Sequence, residues 1–228
     1  MKWGSCVEDI LIKFDDAFVS FKNFVMKPVN LEIPRGYIIG IQGKNGAGKT
    51  TLLKMLLGAY EEMRGKITID GLDVVKEREN MLSKVGLIME EREFFEEEDA
   101  IKNEEYFSVF YENWNKERYR KMLQKVGLSF GQKLRTFSKG ERVMYQLAFM
   151  AAYQPEVILL DEPTAGLDTV FRQDFLRILQ DFVADYEATI LMSTHIDEDL
   201  NRIADYIIEA DNGRYNMETM QDGFMHGV

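Results

Sequence analysis

The sequence predicts an α/β fold built on a parallel sheet, with a small antiparallel sheet and an inserted helical region beside it. Three observations carry this expectation. Four unbroken apolar runs, Tyr37 to Ile41, Val85 to Met89, Val157 to Leu160 and Thr189 to Met192, read as strands covered on both faces. Helical stretches separate them, the order that builds a parallel sheet. Each run ends in polar residues, and the carboxyl ends of such strands are where α/β sheets collect their ligands. Those ends carry a glycine-rich turn, Glu90, the pair Asp161-Glu162, and Ser193-Thr194-His195.

The remaining elements follow in chain order. Apolar and polar residues alternate from Val7 to Phe14 and again from Ala17 to Phe21, and Val29-Asn30-Leu31-Glu32-Ile33 leads into the turn Pro34-Arg35-Gly36. Period-two alternation between turn residues predicts antiparallel strands with one wet face. Lys66-Ile67-Thr68-Ile69 alternates in the same way and closes on Asp70-Gly71, a hairpin signal, so it is expected in the same sheet. Between Ala100 and Tyr153, residues such as Tyr106, Phe107, Phe110, Tyr111, Tyr119, Met122, Leu123 and Val126 recur at helical spacing and predict a packed helical subdomain.

Composition narrows the function classes. A chain of 228 residues with 46% hydrophobic content supports one α/β domain with a full core. The formal net charge of -11 repels phosphate backbones, and no basic patch offsets it, which argues against nucleic acid as a partner. The single Cys6 has no internal disulfide partner and reads as a stray, partly buried thiol in a reducing cytoplasm. Met1 to Asp9 lacks the apolar stretch of a secretion signal, and nowhere is there a run of about eighteen apolar residues that could span a bilayer. A role in a membrane process would therefore need another subunit to do the spanning.

The chemistry begins at Gly43-Lys44-Asn45-Gly46-Ala47-Gly48-Lys49-Thr50, set between a strand-like run and the helical Thr51 to Leu57. This is a P-loop. Successive glycines let backbone N–H groups wrap a polyphosphate, Lys49 reaches the terminal phosphates, and the Thr50 hydroxyl ligates magnesium. The expected nucleotide-contacting set is Gly43, Asn45, Gly46, Ala47, Gly48, Lys49, Thr50 and Thr51. Asp161-Glu162 directly follows a buried strand, where carboxylates are costly unless a cation or a reaction needs them. The first would hold magnesium, directly or through water, and the second can take a proton from a water attacking the γ-phosphate. The plainer alternative is a carboxylate that only caps the next turn.

Five motifs in one order make the chain resemble, over nearly its full length, the nucleotide-binding subunit of an ATP-binding cassette (ABC) transporter. They are the Walker A loop Gly43 to Thr50, the signature loop Phe137-Ser138-Lys139-Gly140-Glu141, Walker B at Val157 to Glu162, the D-loop Ala165-Gly166-Leu167-Asp168, and the switch histidine His195. The resemblance implies a P-loop NTPase fold in one domain over 1–228. A RecA-like core with its antiparallel sheet would occupy 1–99 and 154–228, and a helical subdomain 100–153. It implies ATP and Mg2+ as ligands and ATP hydrolysis, with Glu162 as the catalytic base, Lys49 and His195 as catalytic partners, and Thr50, Asp161 and Glu90 around the metal.

The same resemblance implies a second ATPase subunit, identical or related, in a head-to-tail pair. Each ATP would lie between the Walker A loop of one copy and the signature loop of the other. There Ser138, the Gly140 backbone and the amino end of the following helix would face the γ-phosphate, and Asp168 would join from the D-loop. An aromatic near the amino terminus is expected to stack on adenine, with Phe21 the choice and Phe18 its competitor. The implied partner is a transmembrane permease, which would hold the chain at the cytoplasmic face of the cell membrane.

Some positions depart from the family pattern. Glu90 stands where relatives usually carry glutamine, and Lys139 and Glu141 replace glycine and glutamine in the signature. Together with Phe110-Tyr111-Glu112-Asn113-Trp114, these resemble the exporter branch that handles antimicrobial peptides, bacitracin-like antibiotics or toxic peptides in Gram-positive bacteria. The acidic run Glu90 to Asp99, interrupted by Phe94 and Phe95, reads either as a solvated face or as a docking surface for the permease. An importer or a non-transport membrane-complex ATPase would share every catalytic residue. A soluble ABC ATPase of DNA repair or translation fits less well, because such proteins carry coiled-coil arms or tandem cassettes.

Overall fold

The computed structural model describes residues 9–22, 24–89 and 94–220; Cys6, Glu90 and residues 221–228 lie outside them. The strands are β1 (Ile10–Phe18), β2 (Ser20–Phe21), β3 (Phe24–Val25), β4 (Val29–Pro34), β5 (Ile38–Gln42), β6 (Arg64–Ile69), β7 (Leu72–Asp73), β8 (Val85–Ile88), β9 (Val157–Asp161), β10 (Thr189–Ser193), β11 (Tyr206–Asp211) and β12 (Arg214–Thr219). The helices are α1 (Lys49–Leu56), α2 (Arg78–Leu82), α3 (Ala100–Phe107), α4 (Lys116–Lys125), α5 (Lys139–Tyr153), α6 (Thr169–Tyr186) and α7 (Asp197–Ile203).

The expected antiparallel sheet has the order β4-β1-β6-β7. Its alternation buries Ile12, Phe14, Ile33, Ile67 and Ile69 and leaves the intervening polar side chains in water. One boundary differs from expectation: β1 does not break between Phe14 and Ala17 but runs through a bulge. Asp16 takes a positive φ of 47° there, and its N–H is held by Asn30 Oδ1 at 2.9 Å. Phe21 belongs instead to the separate hairpin of β2 and β3.

The second sheet has the order β12-β11-β5-β10-β9-β8, with all neighbouring pairs parallel except β11–β12. The apolar runs are unbroken because consecutive residues serve two different cores. Ile38, Ile158, Leu160, Ile190 and Met192 face α5 and α6, whereas Ile39, Val157, Leu159 and Leu191 face α1 and the antiparallel sheet. The β11–β12 hairpin is absent from the sequence-based expectation, although Asn212-Gly213, with φ of 48° and 75°, is its local signal.

Within 100–153, Asp99, Asn115 and Ser138 cap α3, α4 and α5 through their side chains. The aromatic residues of this region form one contiguous set of ring contacts that includes Phe107, Trp114, Tyr119, Tyr145 and Phe149. That set is continuous with the core on the α5–α6 face of the parallel sheet. Among the described residues, no helix is long and apolar enough to cross a membrane.

Candidate active site

The carboxyl ends of β5, β9 and β10 lie side by side, and the predicted chemistry gathers there. Strand β5 passes into the glycine loop and then into α1, which starts at Lys49 after Gly48 with no side-chain cap. Gly48 is the tightest point. Its φ is 106°, and a Cβ would sit 2.2 Å from Tyr215 Oη and 2.7 Å from Phe24 Cζ, so no larger residue fits. The Tyr215 hydroxyl donates to the Gly48 carbonyl at 3.0 Å, and burial pushes the pKa of this phenol up, keeping it protonated as a donor. Around Gly46 the space is open, which leaves the loop concave. Lys49 is buried, and its ammonium donates to the Gly43 carbonyl at 2.8 Å, curling the loop around itself.

Next to this loop the Thr50 hydroxyl donates to Asp161 Oδ2 at 2.7 Å. The other oxygen of Asp161 accepts from the Ser193 hydroxyl at 2.5 Å, since the β9–β10 register sets Asp161 opposite Ser193. Glu162 then turns out of the strand with φ 51°, its N–H donating to the Ser193 carbonyl at 3.0 Å. Its Oε2 lies 2.7 Å from His195 Nδ1 and 3.3 Å from the His195 backbone N. The left-handed conformation at a non-glycine residue is where strain is stored at functional sites, and here it aims a carboxylate away from the strand.

A groove of about 410 Å³ joins these groups. It runs from Phe21 and Phe24 across Asn45, Gly46 and Gly48 to Lys49, Thr50, Thr51, Asp161 and Glu162. Phe21 stands at its rim, 41% exposed and edge-on to Tyr60 with ring centroids 5.3 Å apart, whereas Phe18 packs on the core of the antiparallel sheet. Gly43, packed against the Ala210 carbonyl, and the buried Ala47 belong to the loop but do not line the groove, and His195 is mostly exposed beside Glu162, also outside the lining. Phe24 and Tyr215 join the site with no local signal in the sequence, whereas Ser193 is legible as a polar strand end.

Three of the anticipated residues lie elsewhere. Ser138 caps α5 in a reciprocal box, accepting from the Glu141 N–H at 3.2 Å while Glu141 Oε2 accepts from the Ser138 N–H at 2.7 Å. Asp168 caps α6, accepting from Val170 and Phe171 N–H groups at 3.0 and 3.2 Å. Gly140 lies against Phe171, where a Cβ would approach the ring to 2.9 Å. None of the three lines the groove of its own chain. Glu90, expected near the metal, is outside the described residues.

Of the acidic run, residues 90–93 lie outside the described residues. Glu96 pairs with Arg142, and the exposed Glu97 lies 3.3 Å from Arg135 and 3.8 Å from Lys133, so these two carboxylates also meet basic side chains of their own chain. Phe94 is packed among Phe107, Tyr145 and Phe149, and only Phe95, 55% exposed, retains the surface position that docking would need.

A phosphate-wrapping loop, a hydroxyl–carboxylate pair and a second carboxylate at adjacent strand ends define a P-loop nucleotide hydrolase. The sequence matches the ABC transporter family model over residues 26–165. It is 32% identical over 195 residues to the ABC transporter ATP-binding protein NatA of Bacillus subtilis, covering 82% of this chain and 78% of that protein. It is 32% identical over 206 residues to the energy-coupling factor transporter ATP-binding protein EcfA2 of Clostridium tetani, covering 85% and 71%. It is 30% identical over 204 residues to the lantibiotic transport ATP-binding protein SrtF of Streptococcus pyogenes, covering 89% and 87%. A solved ATP-binding subunit of an ABC transporter superposes with a TM-score of 0.83 at 25% identity, covering 96% of this chain and 95% of that one. The chain belongs to the ABC transporter family as an ATP-binding, ATP-hydrolysing subunit, and its relatives include the antimicrobial-peptide branch that the signature resembles.

Proposed function

We propose that this subunit hydrolyses ATP in a head-to-tail pair and so powers a separately encoded permease that exports antimicrobial or toxic peptides. The observation that carries the catalytic part is the 2.7 Å contact between Glu162 and His195, set beside the Thr50–Asp161 pair at one end of the groove. Glu162 takes the proton of the water that attacks the γ-phosphate, and His195 holds the carboxylate so that one oxygen faces that water. Lys49 exchanges its loop carbonyl for phosphate oxygens. The Phe21 ring, at the far end of the groove, stacks on adenine.

Mg2+ fits the donors present. Thr50 and Asp161 offer the hard oxygens that this ion prefers. Bound there, it would neutralise charge on the β- and γ-phosphates. Ser193 and Thr50 keep both Asp161 oxygens oriented for that role.

Pairing is supported by the position of Ser138, Gly140 and Asp168. They sit at the amino ends of α5 and α6 and are not among the described residues that line the Lys49–Glu162 groove, a position suited to a nucleotide held by a second copy. The permease supplies the membrane contact, and through it the chain sits at the cytoplasmic face of the membrane. Export rests on the likeness to SrtF across most of both chains; import is the second reading, because the catalytic residues are common to both directions. Co-expression with its cognate permease should raise resistance to a lantibiotic or bacitracin, and Glu162→Gln should abolish that resistance while ATP still binds. Uptake of a nutrient with no change in resistance would overturn the export reading, and full ATPase activity in Glu162→Gln would overturn the assignment of the base.

A further inference from the structure

Arg142 lies one residue beyond the Ser138–Glu141 capping box, and all three of its guanidinium nitrogens are engaged. Nε donates to the Phe137 carbonyl at 3.1 Å, Nη2 to the Arg135 carbonyl at 3.1 Å, and Nη1 to Glu96 Oε1. The backbone continues the same junction: Arg135 N–H donates to the Glu96 carbonyl at 2.9 Å, Leu134 N–H to the Glu98 carbonyl at 3.0 Å, and Asp99 bridges Lys133. The other end of this segment is also fixed. Asn103, with no exposed surface, accepts from Phe95 N–H at 2.9 Å and donates to the carbonyls of Phe95 and Asp99 at 3.0 and 2.9 Å.

A lone surface ion pair contributes little, but a planar five-donor fork that also binds two carbonyls sets a geometry rather than an energy alone. The turn that presents Ser138 and Gly140 is thus tied, through Arg142, to residues 95–99. We propose that Arg142 and Glu96 are positioning residues that hold the Ser138–Gly140 turn in the orientation needed to close over ATP bound by a second copy. This rests on the head-to-tail reading above and assigns to Glu96 an internal role in place of a docking one.

The test uses the full chain carrying Glu162→Gln, with ATP-driven pairing followed by sedimentation and ATP binding to the single chain followed by calorimetry at low protein concentration. Adding Glu96→Gln, a near-isosteric change, should weaken pairing about tenfold, the effect of taking the charge out of one hydrogen bond. Binding of ATP to the single chain should not change, a separation that general loss of structure would not give. Arg142→Gln, which also removes the donors to the Phe137 and Arg135 carbonyls, should weaken pairing at least as much and again leave ATP binding to the single chain unchanged. Unchanged pairing in Glu96→Gln or in Arg142→Gln, or equal losses of binding and pairing, would overturn the proposal. If Glu162→Gln by itself stays single with ATP present, the head-to-tail reading fails and this inference falls with it.

Discussion

Glu162 Oε2 and His195 Nδ1 lie 2.7 Å apart at the ends of two neighbouring parallel strands, β9 and β10. The same Glu162 oxygen also faces the His195 backbone N–H at 3.3 Å, so one residue addresses that oxygen through both its ring and its main chain. His195 is 59% exposed in its side chain and makes little contact with the core.

His195→Ala is therefore expected to leave the melting temperature nearly unchanged while lowering kcat about 10- to 100-fold, the effect of a misoriented catalytic group. The ATP dissociation constant should stay close to that of the unmodified chain. Steady-state phosphate release and differential scanning calorimetry on the same preparations check both parts.

Gly48→Ala places a methyl where Tyr215 Oη and Phe24 Cζ already stand, at 2.2 and 2.7 Å, in a backbone conformation with φ 106°. A stability loss of about 2–3 kcal/mol is expected from overpacking and strain, with weaker nucleotide binding. Tyr215→Phe in the same chain removes the nearest atom and should recover part of the loss. By itself Tyr215→Phe should cost about 1 kcal/mol, the hydrogen bond to Gly48. Urea titrations of the three variants test the ordering.

Phe21→Ala removes the ring at the rim of the groove. With stacking on a base worth about 1–3 kcal/mol, KM for ATP should rise roughly tenfold or more while kcat holds, the pattern of a group that binds ground and transition states alike. Phe18→Ala should instead lower stability, because that ring packs on the antiparallel-sheet core. Parallel kinetics and melting curves separate the two.

Asp70, at the end of β6, is hydrogen-bonded to Lys84 at 2.5 Å and to Arg35 at 2.8 Å, and Lys84 foremost holds its carboxyl below the usual range. A depressed folded value means the contribution is complete above the unfolded carboxylate's value, near 3.9, and is lost as pH falls through the lower folded one. Asp70→Asn should lower stability at pH 7 by about 0.5–1 kcal/mol, a small effect because the group is partly exposed. The difference between the two proteins should shrink below about pH 4. Melting temperatures from pH 7 to pH 2 give the readout.

What could be read from the chain alone is what is encoded locally. The glycine loop, Asp161-Glu162 and the apolar runs each compress their physics into a few consecutive residues, so motif and periodicity were enough for the parallel sheet, the nucleotide loop and the place of the paired carboxylates at a strand end. Folding alone decided the rest. Ser193 reaches Asp161 across 32 residues, Arg142 reaches Glu96 across 46, and Tyr215 reaches Gly48 across 167. The acidic run illustrates why: a window of sequence displays charge density but not the opposite charges that chain topology later brings beside it. Contacts between distant segments depend on strand order and register, and a linear pattern carries no record of either until the sheet has formed.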